Sequence, residues 1–278
     1  MSTATLTPTT ALSTVGGSLR FGGVIRSEWI KLRSLRSTVW SYLLVFAISL
    51  GMALVMSTSM TDYIDQAASG SADEQLRMLL MASTFGVFFG QLVVAVLGVL
   101  VISGEYTTGM IRSTLTAVPR RLPALAAKAI VLFVSTFVVG LLGSVGAFLI
   151  ASAVFASHGV TASLAEPEVF LPLLGGALYL ALISLFALGL GTILRNSAGG
   201  IAAALGILLL LPTVLQMIPA EWASDLIPYL LSVAGMGLFD PSVGGGEPDA
   251  VLKNLLIVLA WVAAAVVGAA LSLKRRDA

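Results

Sequence analysis

Apolar residues run through this chain in long blocks, and the polar residues collect between them. Six blocks reach or approach the 18 or more residues that cross a ~30 Å hydrocarbon core at about 1.5 Å per residue. They predict spans at about Val39–Met56, Met81–Ile102, Ala129–Phe155, Leu171–Leu194, Gly200–Ile218 and Val251–Leu273. The connection between the fourth and fifth blocks is only "RNSAG" (195–199), so these two spans are expected to lie side by side and antiparallel. The fold class this pattern gives is all-α: a polytopic membrane protein with six transmembrane helices over residues 38–278.

The segments outside the blocks differ in kind. Residues 1–17, "MSTATLTPTTALSTVGG", have no apolar period and read as a disordered tail. In residues 18–37, "SLRFGGVIRSEWIKLRSLRS", Phe21, Val24, Ile25, Trp29, Leu32 and Leu35 fall within one arc of about 140° at helical spacing. Arg26 and Arg33 lie on the opposite flank, while Glu28 and Arg36 interrupt the apolar arc. This predicts an interfacial amphipathic helix, its Trp29 at headgroup level and its Lys31 and Arg residues near acidic lipid. Glu28 is placed to pair with Lys31 one turn on. Residues 57–80 read as a loop with a short helix after Ser71. The stretch after the fifth span carries Pro212, Pro219, Pro228, Pro241 and Pro248 around "LIPYLLSVAGMGLF", which is too short to span and reads as a re-entrant or interfacial piece. Gly86 and Gly90, and the stripe Gly140, Gly143, Ser144 and Ala147, permit close helix approach.

Composition supports the membrane reading: 58% of the 278 residues are hydrophobic and 10% charged, against roughly 25% charged in soluble domains. Charge adds orientation. Of the 15 basic residues, 13 fall in the N-terminal arm, the second and fourth connections and the C-terminal tail. Of the 14 acidic residues, 11 fall in the other connections. The positive-inside rule then expects both termini in the cytoplasm, with an even number of spans between them. The first apolar run begins late and lacks a small-residue cleavage site, so no cleaved signal peptide is expected. Arg outnumbers Lys 11 to 4, which hints at a high-GC bacterial genome and hence a bacterial inner-membrane location.

Several chemistries find no residues. There is no Cys and a single His, His158, so neither thiolate metal sites nor a His cluster is expected. No span carries a charge at mid-depth, where proton or ion coupling would place one; Gln91 and Gln216 are the main polar side chains there and are expected to bridge helices. No Gly-x-Ser-x-Gly, His-Glu-x-x-His or phosphate-loop motif occurs. The chain is therefore expected to be non-enzymatic, and a partner would have to supply any energy from ATP.

One polar stretch stands apart, "SGEYTTGMIRSTLTAVPRR" at 103–121. Glu105 closes the second span, Gly109 punctuates the run, and "MIRSTLTA" can form two helical turns before Pro119. A short helix joined rigidly to two spans would tilt them together. Glu105 can accept hydrogen bonds from exposed backbone or pair with an Arg of the arm. With Tyr106, Thr108, Arg112, Arg120 and Arg121, this segment resembles the signature of the ABC type-2 transporter permeases; "SEWIKLRSLRSTVW" (27–40) resembles that family's N-terminal element, with Met110 departing from a frequent Thr. The resemblance spans residues 20 to 278. It implies a half-exporter that pairs with a second permease copy, identical or related. Residues 106–121 would act as a coupling helix seated in a separate cytoplasmic ATPase that holds ATP and Mg, and Glu28 to Arg36 (Glu28, Trp29, Lys31, Arg33, Arg36) as the connecting helix beside it. An amphipathic or apolar cargo (a drug, peptide or lipid-like molecule) is then expected, membrane lipid is the surrounding partner, and no nucleic acid is involved. An ion-coupled secondary transporter and a non-transporting scaffold or immunity protein remain as alternatives from other classes.

Overall fold

The computed structural model describes residues 21–61, 63, 71–110, 121–240 and 249–275, residue 121 by its backbone alone. Among these residues the protein is all-α. The helices are α1 (Phe21–Ser34), α2 (Arg36–Ser59), α3 (Ala72–Thr107), α4 (Arg121–Ala156), α5 (Pro167–Leu194), α6 (Ser197–Leu205), α7 (Leu211–Gln216), α8 (Glu221–Leu226), α9 (Leu231–Met236) and α10 (Ala250–Arg275). A π-helical turn, Gly206–Leu210, joins α6 to α7 into one span-length unit. Six helical units are long and apolar enough to cross a membrane: α2, α3, α4, α5, α6 through α7, and α10. The protein is a multi-pass membrane protein.

Every predicted span is present, and most are longer than the apolar block that predicted them. The short helix expected after Ser71 is instead the first turns of α3, which runs unbroken for 36 residues, about 54 Å at the α-helical rise. A capping box starts it: Ser71 Oγ accepts from the Glu74 amide and the Glu74 carboxylate accepts from the Ser71 amide, both at 3.3 Å. The polar residues that made 71–80 look like a loop are the helix start signal. The tail 1–17, Arg112, Pro119, Arg120 and most of the predicted coupling helix lie outside the described residues.

In hydrocarbon the apolar effect does not hold helices together, so close packing must. Gly86 of α3 meets the Ser49 backbone of α2, where an added Cβ would lie 2.6 Å from Ser49 Cα. Gly143 of α4 meets the same Ser49 side chain, its Cβ position 3.1 Å from Oγ. Three helices thus converge on one small residue, as the small-residue stripes predicted. α5 is the most buried span and lies against α3, α4, α6 and α10, whereas α2 is the least buried. Buried hydroxyls bond back into their own helices: Ser83 Oγ donates to Leu79 O at 2.6 Å and Thr192 Oγ1 to Leu188 O at 2.7 Å. No water is present at that depth to satisfy them otherwise.

The proline-rich stretch behaves as its breakers require. Pro212 has no N–H and its ring would crowd the preceding turn of a regular helix, and the π turn widens the backbone just before it. After α7 the chain folds back as α8, a 3-10 turn at Ile227–Tyr229, and α9. Gly235 packs on the Tyr179 ring and the Leu238 carbonyl on Gly175, twelve and eight residues into α5. Trp261 Nε1 of α10 donates to Tyr229 O at 3.0 Å. The broken piece therefore packs along α5, and α10 holds part of its backbone through Trp261. Gln216, expected to bridge helices, is exposed on this chain, because the π turn and the end of α7 rotate it away from its neighbours.

Helix direction sorts the charges to two ends. One end carries α1, the end of α3, the starts of α2, α4 and α6, and Lys274 and Arg275 of α10. The other carries Asp73, Glu74, Glu166, Glu168, Glu221 and Asp225. These are called the basic and acidic ends below.

Candidate functional site: a buried charge cluster at the basic end

The site begins with how α3 stops. Thr107 and Thr108 turn their hydroxyls back onto Ser103 O and Gly104 O at 3.0 and 2.8 Å. The Thr108 amide bonds Gly104 O at 3.0 Å, and Gly109 follows at φ +73°, donating to Tyr106 O at 3.3 Å. This is a glycine-terminated helix end, and the left-handed φ explains why Gly109 punctuates the run. Met110 beyond it is exposed.

One turn before that end, Glu105 points inward and is 6% exposed. Lys128 Nζ of α4 donates to Glu105 Oε1 at 2.8 Å and to Glu28 Oε2 of α1 at 2.6 Å. Lys31 Nζ of α1 donates to Glu28 Oε1 at 2.7 Å and Glu105 Oε1 at 3.2 Å. Two lysines and two glutamates thus form a neutral quartet that ties the arm to the second and third spans. Glu28 and Lys128 are 3% and 5% exposed; a lone charge at such depth would be costly, and each is held by two opposite charges. Burial pushes the Glu28 carboxyl up, but Lys128 and Lys31 outweigh it and hold it below the ordinary carboxylate range. For Lys31, burial pushes the ammonium down, and Glu28 and Glu105 outweigh that and raise it.

The arm is reordered relative to its sequence pattern. Its buried stripe is Val24, Glu28 and Leu32, spaced four apart, and it packs chiefly on α4. Glu28, which interrupts the apolar arc, is the centre of the buried face. Phe21, Trp29 and Leu35 are exposed on the chain and available to lipid. The Glu28–Lys31 pair forms as expected. Leu35 takes extended backbone (φ −78°, ψ 118°) and ends the arm, so Arg36 belongs to the first turn of α2 rather than to the interfacial helix. The expected partner of Glu105, an Arg of the arm, is replaced by two lysines, Lys31 of the arm and Lys128 of α4, while Arg26 and Arg33 are exposed.

A second tie holds the same helix end. The Arg195 guanidinium sits over the Tyr106 ring at 5.2 Å, and Ser197 Oγ donates to Ser103 Oγ at 2.8 Å. Arg195 adopts the left-handed region (φ 53°) at the end of α5, and Asn196 caps α6 by accepting from the Gly199 amide at 2.9 Å. The turn between the fourth and fifth spans is thereby clasped to the foot of the second. Of the sequence-predicted residues, Glu28, Lys31, Glu105 and Tyr106 come together. Thr108 and Gly109 form the exposed helix end, Trp29 and Arg33 lie aside on α1, and Arg121 opens α4. Lys128 and Arg195 were legible only as topogenic charges, since their partners lie 100 and 23 residues away for Lys128 and across a helix interface for Arg195. A cavity of about 330 Å³ opens beside the quartet, lined by Glu28, Lys31, Leu32, Glu105, Met110 and Lys128 among others.

The chain belongs to the ABC-2 family of transporter proteins, whose family model matches residues 24–220. The match starts inside the arm and ends after the fifth span, so it includes every member of the quartet. It makes the chain a membrane permease component of an ABC transporter, a type of protein that works in general with an ATPase subunit. No curated protein matches the chain.

Proposed function

We propose that this protein is the membrane subunit of an ATP-driven exporter, with its basic end and both termini in the cytoplasm of a bacterial cell. The observation that carries the reading is the quartet Glu28, Lys31, Glu105 and Lys128, which joins three elements at the foot of the 106–121 connection. A separate ATPase subunit, holding ATP and Mg, seats that connection as a coupling helix. The chain itself is non-catalytic. Force on the connection passes through a continuous set of packed and hydrogen-bonded groups. Through Glu105 it reaches the arm and α4, and through Tyr106 and Ser103 it reaches the turn between α5 and α6. The second, third, fourth and fifth spans would then move together.

A second copy, identical or related, completes the transport path in this account. The spans offer apolar side chains in most positions, which suits an amphipathic or apolar cargo. Co-purification tests the reading: the tagged chain is isolated from its native host in mild detergent and its companions are identified by mass spectrometry. The reading expects a near-stoichiometric subunit carrying a phosphate loop, lost when residues 106–121 are scrambled. Recovery of the chain alone in several mild detergents would contradict it.

A further inference from the structure

α3 and α5 meet through close contacts of small and apolar residues. Gly98 of α3 lies against Ser184 O and Ala187 Cβ, and Gly90 against the Leu180 side chain. One polar pair interrupts the contact: Tyr179 Oη of α5 donates to Gln91 Oε1 of α3 at 2.5 Å, and both residues are fully buried. No other side-chain hydrogen bond joins these two helices among the described residues. The Gln91 amide has a partner at one end only. Its Nε2 is buried and meets no acceptor among the described residues; turned over, the amide would leave its carbonyl oxygen without a donor instead.

The Tyr179 ring is also held by the segment that folds back after α7. A Cβ added at Gly235 of α9 would collide with Tyr179 Cε2, so the α9 backbone lies directly on the ring edge. The Phe239 ring stands 5.8 Å from it, inclined at 38°. One side chain therefore touches two elements far apart in the sequence, its hydroxyl the middle of α3 and its ring the backbone of α9. A hydroxyl is aimed by its ring, and a ring that loses a packed neighbour regains rotamer freedom. The Tyr179–Gln91 bond is thus fully held only while α9 is seated. The unpartnered Nε2 opposes this arrangement, because a buried donor without an acceptor is costly, and departure of α9 would open Gln91 to other partners.

We propose that Tyr179 is a positioning residue that couples α9 to α3: α9 is seated when the Tyr179–Gln91 bond is made and released when α3 draws Gln91 away. α3 reaches Glu105 and the charge cluster fourteen residues beyond Gln91, about 21 Å along the helix. A displacement of the foot of α3 then has a defined polar contact through which it reaches the segment between the fifth and sixth spans. By linkage the effect is mutual, and seating of α9 fixes the position of α3 on α5. The coupling is a property of the chain alone and is independent of the ATPase reading.

Thiol labelling of the full chain in detergent tests it. The chain has no Cys, so Ser232→Cys, at a 4% exposed position of α9, provides a single reporter. Its rate of reaction with a small maleimide measures how often α9 leaves its seat. In that background Gln91→Leu and Tyr179→Phe are each expected to raise the rate at least about threefold, the effect of one hydrogen bond between membrane helices. The double variant should be no faster than the faster single one, since both substitutions cut the same bond. Its unfolding midpoint should stand near that of the parent, because removing both polar partners leaves neither of them buried and unpaired. Ser83→Ala, which removes an α3 hydroxyl bonded within its own helix, should leave the rate unchanged. An unchanged rate in Gln91→Leu would overturn the proposal, as would single effects that multiply in the double variant, which would mean that the two residues act separately. Equal increases in Ser83→Ala and Gln91→Leu would mean a general loosening of the bundle, and an unreactive thiol in every variant would mean that α9 does not leave; either result also overturns it.

Discussion

At the scale of residues, Lys128 is the keystone of the basic end. It is the sole member of the quartet that is both buried and bonded to the carboxylates of two different helices, α1 and α3. Lys128→Ala leaves Glu28 and Glu105 buried with one shared partner, and losing one side of a buried pair costs about 3–5 kcal/mol. Lys31 is 28% exposed, so water and counterions compensate for its removal, and Lys31→Ala is expected to cost about 1 kcal/mol or less. Thermal unfolding in detergent measures both, and equal losses would contradict the assigned burial. The sequence showed three of the four members, Glu28 and Lys31 as a pair and Glu105 as a carboxylate that could meet the arm, though through an Arg rather than a lysine. Glu28 and Lys31 are legible from their spacing along a helix. The reach of Lys128 to Glu28 is set by how α1 lies across α4, which no local pattern encodes. The burial of Glu28 was readable only as a flaw in an apolar arc; a charge inside such an arc is the signal that the arc docks on protein as well as lipid.

At the scale of elements, α3 carries the site and glycine sets its position. An added Cβ at Gly98 would collide with Ser184 O and lie 2.9 Å from Ala187 Cβ on α5, whereas at Gly104, six residues on, nothing lies within 4 Å. Gly98→Ala must push α3 from α5 and is expected to lower stability by about 1–3 kcal/mol. Gly104→Ala in the same helix should be neutral or stabilising by up to about 1 kcal/mol, the difference in helix propensity. Comparing the two unfolding midpoints checks this, and a Gly98→Ala variant as stable as wild type would contradict the close α3–α5 contact. Spans were legible as elements because hydrocarbon demands long apolar runs. Their ends were less so: α3 begins in a polar capping box, and α4 in a basic segment, because helices continue past the bilayer where polar residues suit them. The broken stretch after α7 was legible from its prolines, while the depth it reaches depends on Gly175 and Gly235 meeting Leu238 and Tyr179, a tertiary match.

At the scale of the molecule, the two ends differ in kind. On the side of the acidic end, α9 folds back against α5 and α10, the 3-10 turn is tied to α10 through Trp261, and α8 packs on α7. The basic end gathers the arm, the quartet and the Arg195 clasp around the foot of α3. Sequence anticipated this polarity through the sorting of its charges, and membership of the ABC-2 family accounts for the arm and the first five spans together. What the charge pattern could not give is that the basic residues divide into two roles: Lys31, Lys128 and Arg195 bind the elements to one another, while Arg26, Arg33 and Arg36 stay exposed at the surface.

The central claim is that the connection after α3 is where an ATPase engages this permease. The chain has no Cys, so a single introduced thiol can carry a photoreactive cross-linker without background. Met110→Cys places it at the exposed foot of α3, and Trp222→Cys places it on α8 at the opposite end, where Trp222 is 56% exposed. In irradiated native membranes, the account predicts a covalent adduct with a nucleotide-binding subunit from Met110→Cys and none from Trp222→Cys. An adduct from Trp222→Cys alone, or no such adduct from Met110→Cys in membranes that contain the ATPase, would contradict it.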